Sequence, residues 1–228
     1  MYGEADLGND FYDWQDREWE HSEVNRIDNA ILPTLKKYKD LDKINQVMDV
    51  GCGGGVLVTA LAKRFPKATI TGIDNSDIAL EKAKAFSKEK NALNTEYFSH
   101  DVASLPANWE NKFDFIILFD VLHDLPNPTA SISEVKRALK DDGVIMCIDP
   151  KVSSHHRKNI GDPNASFCLA FSIYCCLPNS LHKGEAAGLG VGWGMENEEE
   201  FLSSHLNVVE ISNFHANECS NNFVCLKK

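Results

Sequence analysis

The chain has 228 residues, 43% of them hydrophobic, which allows one domain with a cap or insertion around a single core. A formal net charge of −11 and a pI of about 5.1 argue against a polyanionic partner, and no basic stripe marks a nucleic-acid interface. There is no run of roughly 18 apolar residues to span a membrane. The acidic start Met1-Tyr-Gly-Glu-Ala-Asp6 excludes a secretory signal peptide, and seven cysteines without a Cys-x-x-Cys pair suit reduced thiols in a cytoplasmic protein.

Residues 1–22 carry Phe11, Tyr12, Trp14 and Trp19 among many acids, with Phe11, Trp14 and Trp19 in loosely helical spacing. They suit a helix packed on the core, or a lid whose aromatics enclose an organic cation, with Tyr12 and Trp14 facing an acceptor. Residues 23–39 read as a helix with Val24, Ile27, Ile31 and Leu35 on one face and Pro33 as a kink, completing a helical cap over 1–45. From 46 to 228 strands and helices alternate: strand 46–50, helix 56–64, strand 68–73, helix 77–90, strand 95–99, strand 113–119, helix 129–139 and strand 143–148. Helix 56–64 places Leu57, Leu61 and Phe65 on one face, and helix 77–90 turns its lysines outward. Asp141-Asp-Gly143 is the turn into the fifth strand. Such alternation implies a parallel sheet covered on both faces, with ligands at the carboxyl ends of the strands.

The densest signal lies at the first of those ends. Val47-Met-Asp-Val-Gly-Cys-Gly-Gly-Gly-Val56 is a strand running into a glycine turn and then a helix, whose first amides add donors and a positive dipole end. A P-loop needs Gly-x-x-x-x-Gly-Lys-Ser/Thr, and no such Lys follows. A dinucleotide turn needs Gly-x-Gly-x-x-Gly, whereas Gly51, Gly53 and Gly55 alternate. Asp49 before the turn would repel a pyrophosphate and suits a ligand carrying an ammonium and a sulfonium. A bland tight turn is the remaining alternative. Asp74 lowers its weight: it ends the next strand, 19 residues after Gly55, within reach of ribose hydroxyls. Asn75 or Ser76 can cap the following helix, leaving Asp74 free.

Asp-Val-Gly-Cys-Gly-Gly-Gly followed by Gly72-Ile-Asp74 resembles the first two motifs of class I S-adenosylmethionine-dependent methyltransferases. His100-Asp101-Val102 resembles the segment that holds the adenine amino group. Phe113 to Phe119, then Asp120-Val-Leu-His123, resembles the fourth strand and the substrate-facing turn after it. The resemblance implies a Rossmann-like, doubly wound, mostly parallel seven-stranded sheet whose last strand is antiparallel. It implies S-adenosylmethionine as cofactor and S-adenosylhomocysteine as product. Asp49, Gly51, Cys52, Gly53, Gly55, Asp74, Asn75, Asp101, Val102, Phe119 and Asp120 are the cofactor-binding residues it marks.

Residues 150–195 break the alternation with three prolines, a helix-length apolar segment from Ala165 to Leu177 and the run Gly188-Leu-Gly-Val-Gly-Trp-Gly194. No strand leads into that glycine run, so it serves close packing or a flap rather than a nucleotide. An insertion here forms the acceptor-pocket wall. Asp149-Pro-Lys, Leu177-Pro-Asn-Ser-Leu181, the glycine run and Phe119 to Pro126 together resemble a small-molecule subgroup whose members often carry an N-terminal winged-helix region. Too few residues precede Val47 for one, so the chain is a truncated or a naturally short version. A helix near 196–205 and strands near 207–212 and 221–226 close the fold.

His123, four residues past Phe119, is the catalytic base candidate, with Asp120 and Asp124 placed to orient it. The alternative is a His that caps or packs. Tyr174 is a pocket-lining or core aromatic, and His155-His156 a loop pair. Cys168, Cys175 and Cys176 read as buried thiols, with no metal expected. The leading reading is a methyltransferase acting on a small molecule through oxygen, sulfur or nitrogen. A catalytically silent cofactor-binding module, a protein methyltransferase and a nicotinamide oxidoreductase are the alternatives.

Overall fold

The computed structural model describes residues 25–181, 186–214 and 219–228, with single positions 13, 17, 20 and 22 before them. A π turn, Ile27–Ile31, leads into α1, Leu32–Leu35. β1 is Gln46–Val50, α2 Val56–Arg64, β2 Thr69–Asp74, α3 Asp77–Glu89, β3 Thr95–Ser99 and β4 Phe113–Phe119. α4 Pro128–Ala138, β5 Leu139–Pro150, α5 Pro163–Tyr174, α6 Cys176–Ser180, α7 Met195–His205, β6 Asn207–Asn213 and β7 Ser220–Leu226 follow. The sheet order is β3-β2-β1-β4-β5-β7-β6. The first five strands pair in parallel, and β7 is antiparallel to both β5 and β6.

Alternation along the buried strands sends neighbours to opposite faces. Val47, Phe115, Ile117 and Val144 pack on one side with Leu57, Leu61 and the N-terminal Ile27, Ile31 and Leu35. Met48, Ile116, Leu118 and Ile145 pack on the other with Ile132, Val135, Leu202 and Leu206. Helix starts carry their own signals: Ser76 caps α3, Asn127 caps α4 with Pro128 behind it, and Asp162 caps α5 with Pro163 behind it. Among the described residues no helix is long and apolar enough to cross a membrane.

Three expectations shift. The N-terminal helix opens before Pro33 rather than kinking at it: proline cannot donate to the preceding turn, and Leu32 N–H reaches back to Ile27 O in a π turn. Val24 lies outside the described residues. β5 starts at Leu139, and Asp141-Asp-Gly143 sits inside it, because Phe113 pairs Leu139 while Phe115 already pairs Val144. The intervening residues bulge from the ladder. The apolar insertion helix stops at Tyr174, since Pro178 has no N–H for the Tyr174 carbonyl, and Cys175 turns the chain into α6.

Candidate functional site

The site forms where β1, β2, β3 and β4 end. Gly51 N and Cys52 N both donate to Ile73 O, at 2.8 and 3.0 Å, which fastens the glycine turn to β2. Asp74 fastens it again: Oδ2 accepts from Gly53 N at 3.0 Å and Oδ1 from Ser76 N at 2.8 Å. The expectation that Asp74 stands free is therefore corrected. Ser76 caps α3 through its own hydroxyl, but the Ser76 amide and the turn occupy the Asp74 carboxylate.

Gly51 and Gly53 have φ values of +69° and +49°, which L side chains rarely adopt. A Cβ on Gly51 would also lie 2.5 Å from Val121 Cγ2, on the turn after β4. These two glycines, with Cys52 and Gly54, line the pocket. Gly55 does not. Its missing Cβ would fall 2.7 Å from Ala83 Cβ and 2.8 Å from the Tyr97 hydroxyl, so it lets α2 approach α3 and β3.

Asp49 lies on the pocket wall yet is buried within β1, between Gly72 and Ile117. Burial, reinforced by Asp74, holds its carboxyl well above the ordinary range. Burial likewise raises Asp74, against the pull of the Ser76 and Gly53 amides. The Cys52 thiol is pushed well up by burial and both acids, and is inert. Asn75, His100, Asp101 and Val102 line the far end beyond β2 and β3.

Phe119 and Asp120 line the near end. Phe119 meets Phe214 edge-on, and the Arg26 guanidinium lies over its ring at 5.5 Å. Asp120 holds a left-handed backbone, φ +60°, with its amide bonded to Ile148 O at 2.7 Å, a strained position at a strand tip. Lost solvation in the pocket floor raises its carboxyl to about 6, with Asp149 and Asp124 adding to the rise and His123 opposing it. The side chain keeps 56% of its surface open, so pocket water tempers that rise.

His123 is absent from the pocket wall, and its side chain is only 4% exposed. Nδ1 lies 3.2 Å from Asp149 Oδ2, and Nε2 lies 3.2 Å from Asp124 Oδ1 and 3.9 Å from Asp120 Oδ1. Burial opposes charge on the ring, but Asp149 and Asp124 outweigh it and hold the pKa well above the usual value. His123 therefore stands behind Asp120 and Asp124, which line the wall, rather than on the wall itself where a base was expected. Tyr174 is 71% exposed and lines neither core nor pocket. His155 and His156 sit on an exposed turn. Tyr12 and Trp14, with Phe11 and Trp19, lie outside the described residues.

The chain matches the family model described as a methyltransferase domain over residues 41–190. It belongs to the methyltransferase-domain family. Among curated relatives, a ubiquinone biosynthesis O-methyltransferase of Neisseria meningitidis serogroup C is 29% identical over 133 residues, 58% of this chain and 55% of the relative. One of Actinobacillus pleuropneumoniae serotype 5b is 38% identical over 105 residues, 44% of each. The chain thus spans about half the length of the curated relatives it matches. A SAM-dependent methyltransferase from Aquifex aeolicus superposes with a TM-score of 0.65 at 19% identity, covering 91% of this chain and 93% of that one. An O-methyltransferase family protein from Burkholderia thailandensis gives 0.65 at 14% identity, covering 96% and 58%. At those identities the likeness is one of fold.

S-adenosylmethionine is the cofactor of this methyltransferase domain, and the cradle fits it. Gly51 and Gly53 leave no side chain over the turn, and the buried Asp49 carboxyl on the wall would gain a counter-charge from a cationic ligand.

Sequence reasoning quoted the segments that hold Val121, Leu125, Pro126 and Asn179 but assigned none of the four to the site, and all four line the pocket. Asp124 was noted only as a neighbour of His123, and Asp149 and Glu198 were not singled out. Both are buried, and burial with Asp149 holds the Glu198 carboxyl well above normal. Asp149 had one available signal, an acid at the end of an otherwise apolar strand. Glu198 had none, since α7 begins with a run of surface-type acids.

Proposed function

We propose that this methyltransferase domain transfers a methyl group to an oxygen of a small-molecule acceptor. The observation that carries the reading is the shape of the pocket. Its cofactor end at β1–β3 runs on to a second end walled by Asp120, Val121, Asp124, Leu125 and, from the insertion, Asn179. The names of the curated relatives favour oxygen.

Bound S-adenosylmethionine supplies an electrophilic methyl on a sulfonium sulfur. Asp49 would face its ammonium group, a cation that would favour the charged carboxylate that burial opposes. Asp74 spends one lone pair per oxygen on the Gly53 and Ser76 amides and keeps the others for ribose hydroxyls. Asp101 and Val102, which line the pocket beyond β3, would hold the adenine. Asp120 is the open carboxylate at the acceptor end, placed to take the proton an acceptor hydroxyl must lose. The insertion holds the acceptor, and much of the rate comes from alignment, which supplies up to about 7–11 kcal/mol in well-oriented reactions.

The test is calorimetric titration with S-adenosylmethionine and S-adenosylhomocysteine, followed by mass spectrometry of a phenol, carboxylate, thiol and amine panel. Binding with methylated phenol or carboxylate supports the reading. Silence of both cofactor forms at high micromolar concentration sinks it, and binding without any product favours a silent cofactor-binding module.

A further inference from the structure

We propose that His123, Asp124 and Cys176 form a binding site for a zinc-class divalent ion, open toward the acceptor end of the pocket. The three residues come from the turn after β4 and the start of α6, more than fifty positions apart in the chain. Each offers one ligand-type atom, and those atoms all lie within 4.8 Å of one another. A tetrahedral ion with bonds of about 2.0–2.3 Å holds its ligand atoms roughly 3.3–3.7 Å apart, so small side-chain adjustments close the set.

The second observation is an orphaned atom aimed into the cluster. The Asp124 side chain is 11% exposed, and its Oδ1 accepts from no N–H donor although His123 Nε2 stands only 3.2 Å away, while the Cys176 thiol lies within reach of both residues. Its other oxygen already accepts from Asn179 Nδ2 at 3.4 Å. Two ligand-type atoms thus converge without a hydrogen bond between them, the arrangement a shared cation satisfies. On the far side of the ring, Nδ1 faces Asp149 Oδ2 at 3.2 Å, and that oxygen also accepts from the His123 amide at 3.2 Å. A carboxylate behind a ligating imidazole fixes its orientation and strengthens its basicity. Around this one ring stand four acids, Asp120, Asp124, Asp149 and Glu198.

The donor set names the metal class. One imidazole, one thiolate and one carboxylate suit zinc or cobalt, whereas magnesium and calcium take oxygen ligands alone. Three protein ligands leave a fourth position, and Asp124 and Asn179 place it beside the pocket wall, which also gives an entry path. The absence of a Cys-x-x-Cys motif, from which no metal was expected, does not bear on a site assembled from separate elements.

This proposal does not depend on the methyl-transfer reading, and metal alone tests it. The full chain, stripped with a chelator, is titrated with cobalt(II) and followed by absorption, and zinc is counted after dialysis by mass spectrometry. The expected result is one ion per chain, a thiolate-to-cobalt charge-transfer band and tetrahedral d–d bands. Cys176→Ser, nearly isosteric, loses the charge-transfer band while its circular dichroism is unchanged, and Cys168→Ser and Cys219→Ser keep it. Asp149→Asn weakens binding by about 10–100-fold. Absence of binding overturns the proposal. So does a band that survives in Cys176→Ser, or binding without a sulfur band, which would place the ion among Asp120, His123 and Asp149 instead.

Discussion

Gly51→Ala tests the cradle most directly, because two separable costs meet there. The backbone is left-handed, φ +69°, and an alanine in that region costs about 1–2 kcal/mol. The added Cβ would lie 2.5 Å from Val121 Cγ2 and 3.1 Å from Cγ1, where carbon atoms normally sit about 3.5–4.0 Å apart. Val121 is β-branched and cannot simply swing away, so overpacking adds about 1–3 kcal/mol. Together the substitution should cost roughly 2–5 kcal/mol and lower Tm by roughly 4–20 °C for a chain of this size. Val121→Ala removes the clash and leaves the backbone term, so in that background Gly51→Ala should cost only about 1–2 kcal/mol. Urea unfolding of the four proteins gives the cycle, and calorimetry gives cofactor affinity, which should fall in both alanine variants at position 51. A cost below about 1 kcal/mol, or an equal cost in both backgrounds, would refute the assignment of Val121 as the contact that makes glycine necessary.

Asp49→Asn should abolish measurable S-adenosylmethionine binding by calorimetry while leaving the free chain folded. The Asp49 pKa is raised by burial, so the folded form binds a proton more tightly than the unfolded chain. The wild type therefore gains stability as pH falls through the folded pKa toward the unfolded value of about 3.9, and the Asn variant lacks that component in paired melting curves. Asp114 accepts from Asn45 N and Gln46 N at 3.0 Å each and from Lys140 Nζ at 2.8 Å; burial opposes its charge, but these partners outweigh it and lower its pKa. Asp114→Asn should lose about 1–3 kcal/mol at neutral pH, and the gap in urea unfolding should close as pH falls below about 4 through the folded pKa. Glu196 accepts from Ser153 Oγ, Ser154 N, Ser154 Oγ and Lys158 Nζ at 2.7–3.1 Å. Glu196→Gln should speed amide exchange at Ser154 with little change in β1 and β4, and equal protection in both proteins would count against the clamp.

Much of the fold was written in periodicity, and what was missed has identifiable causes. The central strands were visible because burial on both faces demands a near-continuous apolar run, such as Phe113 to Phe119 with only Asp114 interrupting, whereas the edge strand β3 was read from its place in the alternation. The errors lie where proline or a bulge overrides the pattern. Pro33 opened a π turn upstream, Pro178 cut α5 short, and Asp141-Asp-Gly143 looped out of a strand that had already begun at Leu139. A hydropathy pattern carries no information about a missing N–H four residues away unless the partner carbonyl is counted explicitly.

The cofactor end of the site was legible for a related reason, since its residues are consecutive and occur where a strand must end. Gly55 shows the limit of that logic. It looked like part of the cradle from spacing alone, but it answers to Ala83 and Tyr97, contacts that only the packing of α2 on α3 creates. The groups around His123 were less legible because separate elements bring them together. Asp149 arrives on β5, Asn179 and Cys176 on α6 and Glu198 on α7. Their meeting changes the chemistry assigned to His123. Read along the sequence, it is an imidazole near a strand tip and hence a base. Placed in space, it lies behind Asp120 and Asp124 and is backed by Asp149, so the side chains that line the pocket at this turn are carboxylates.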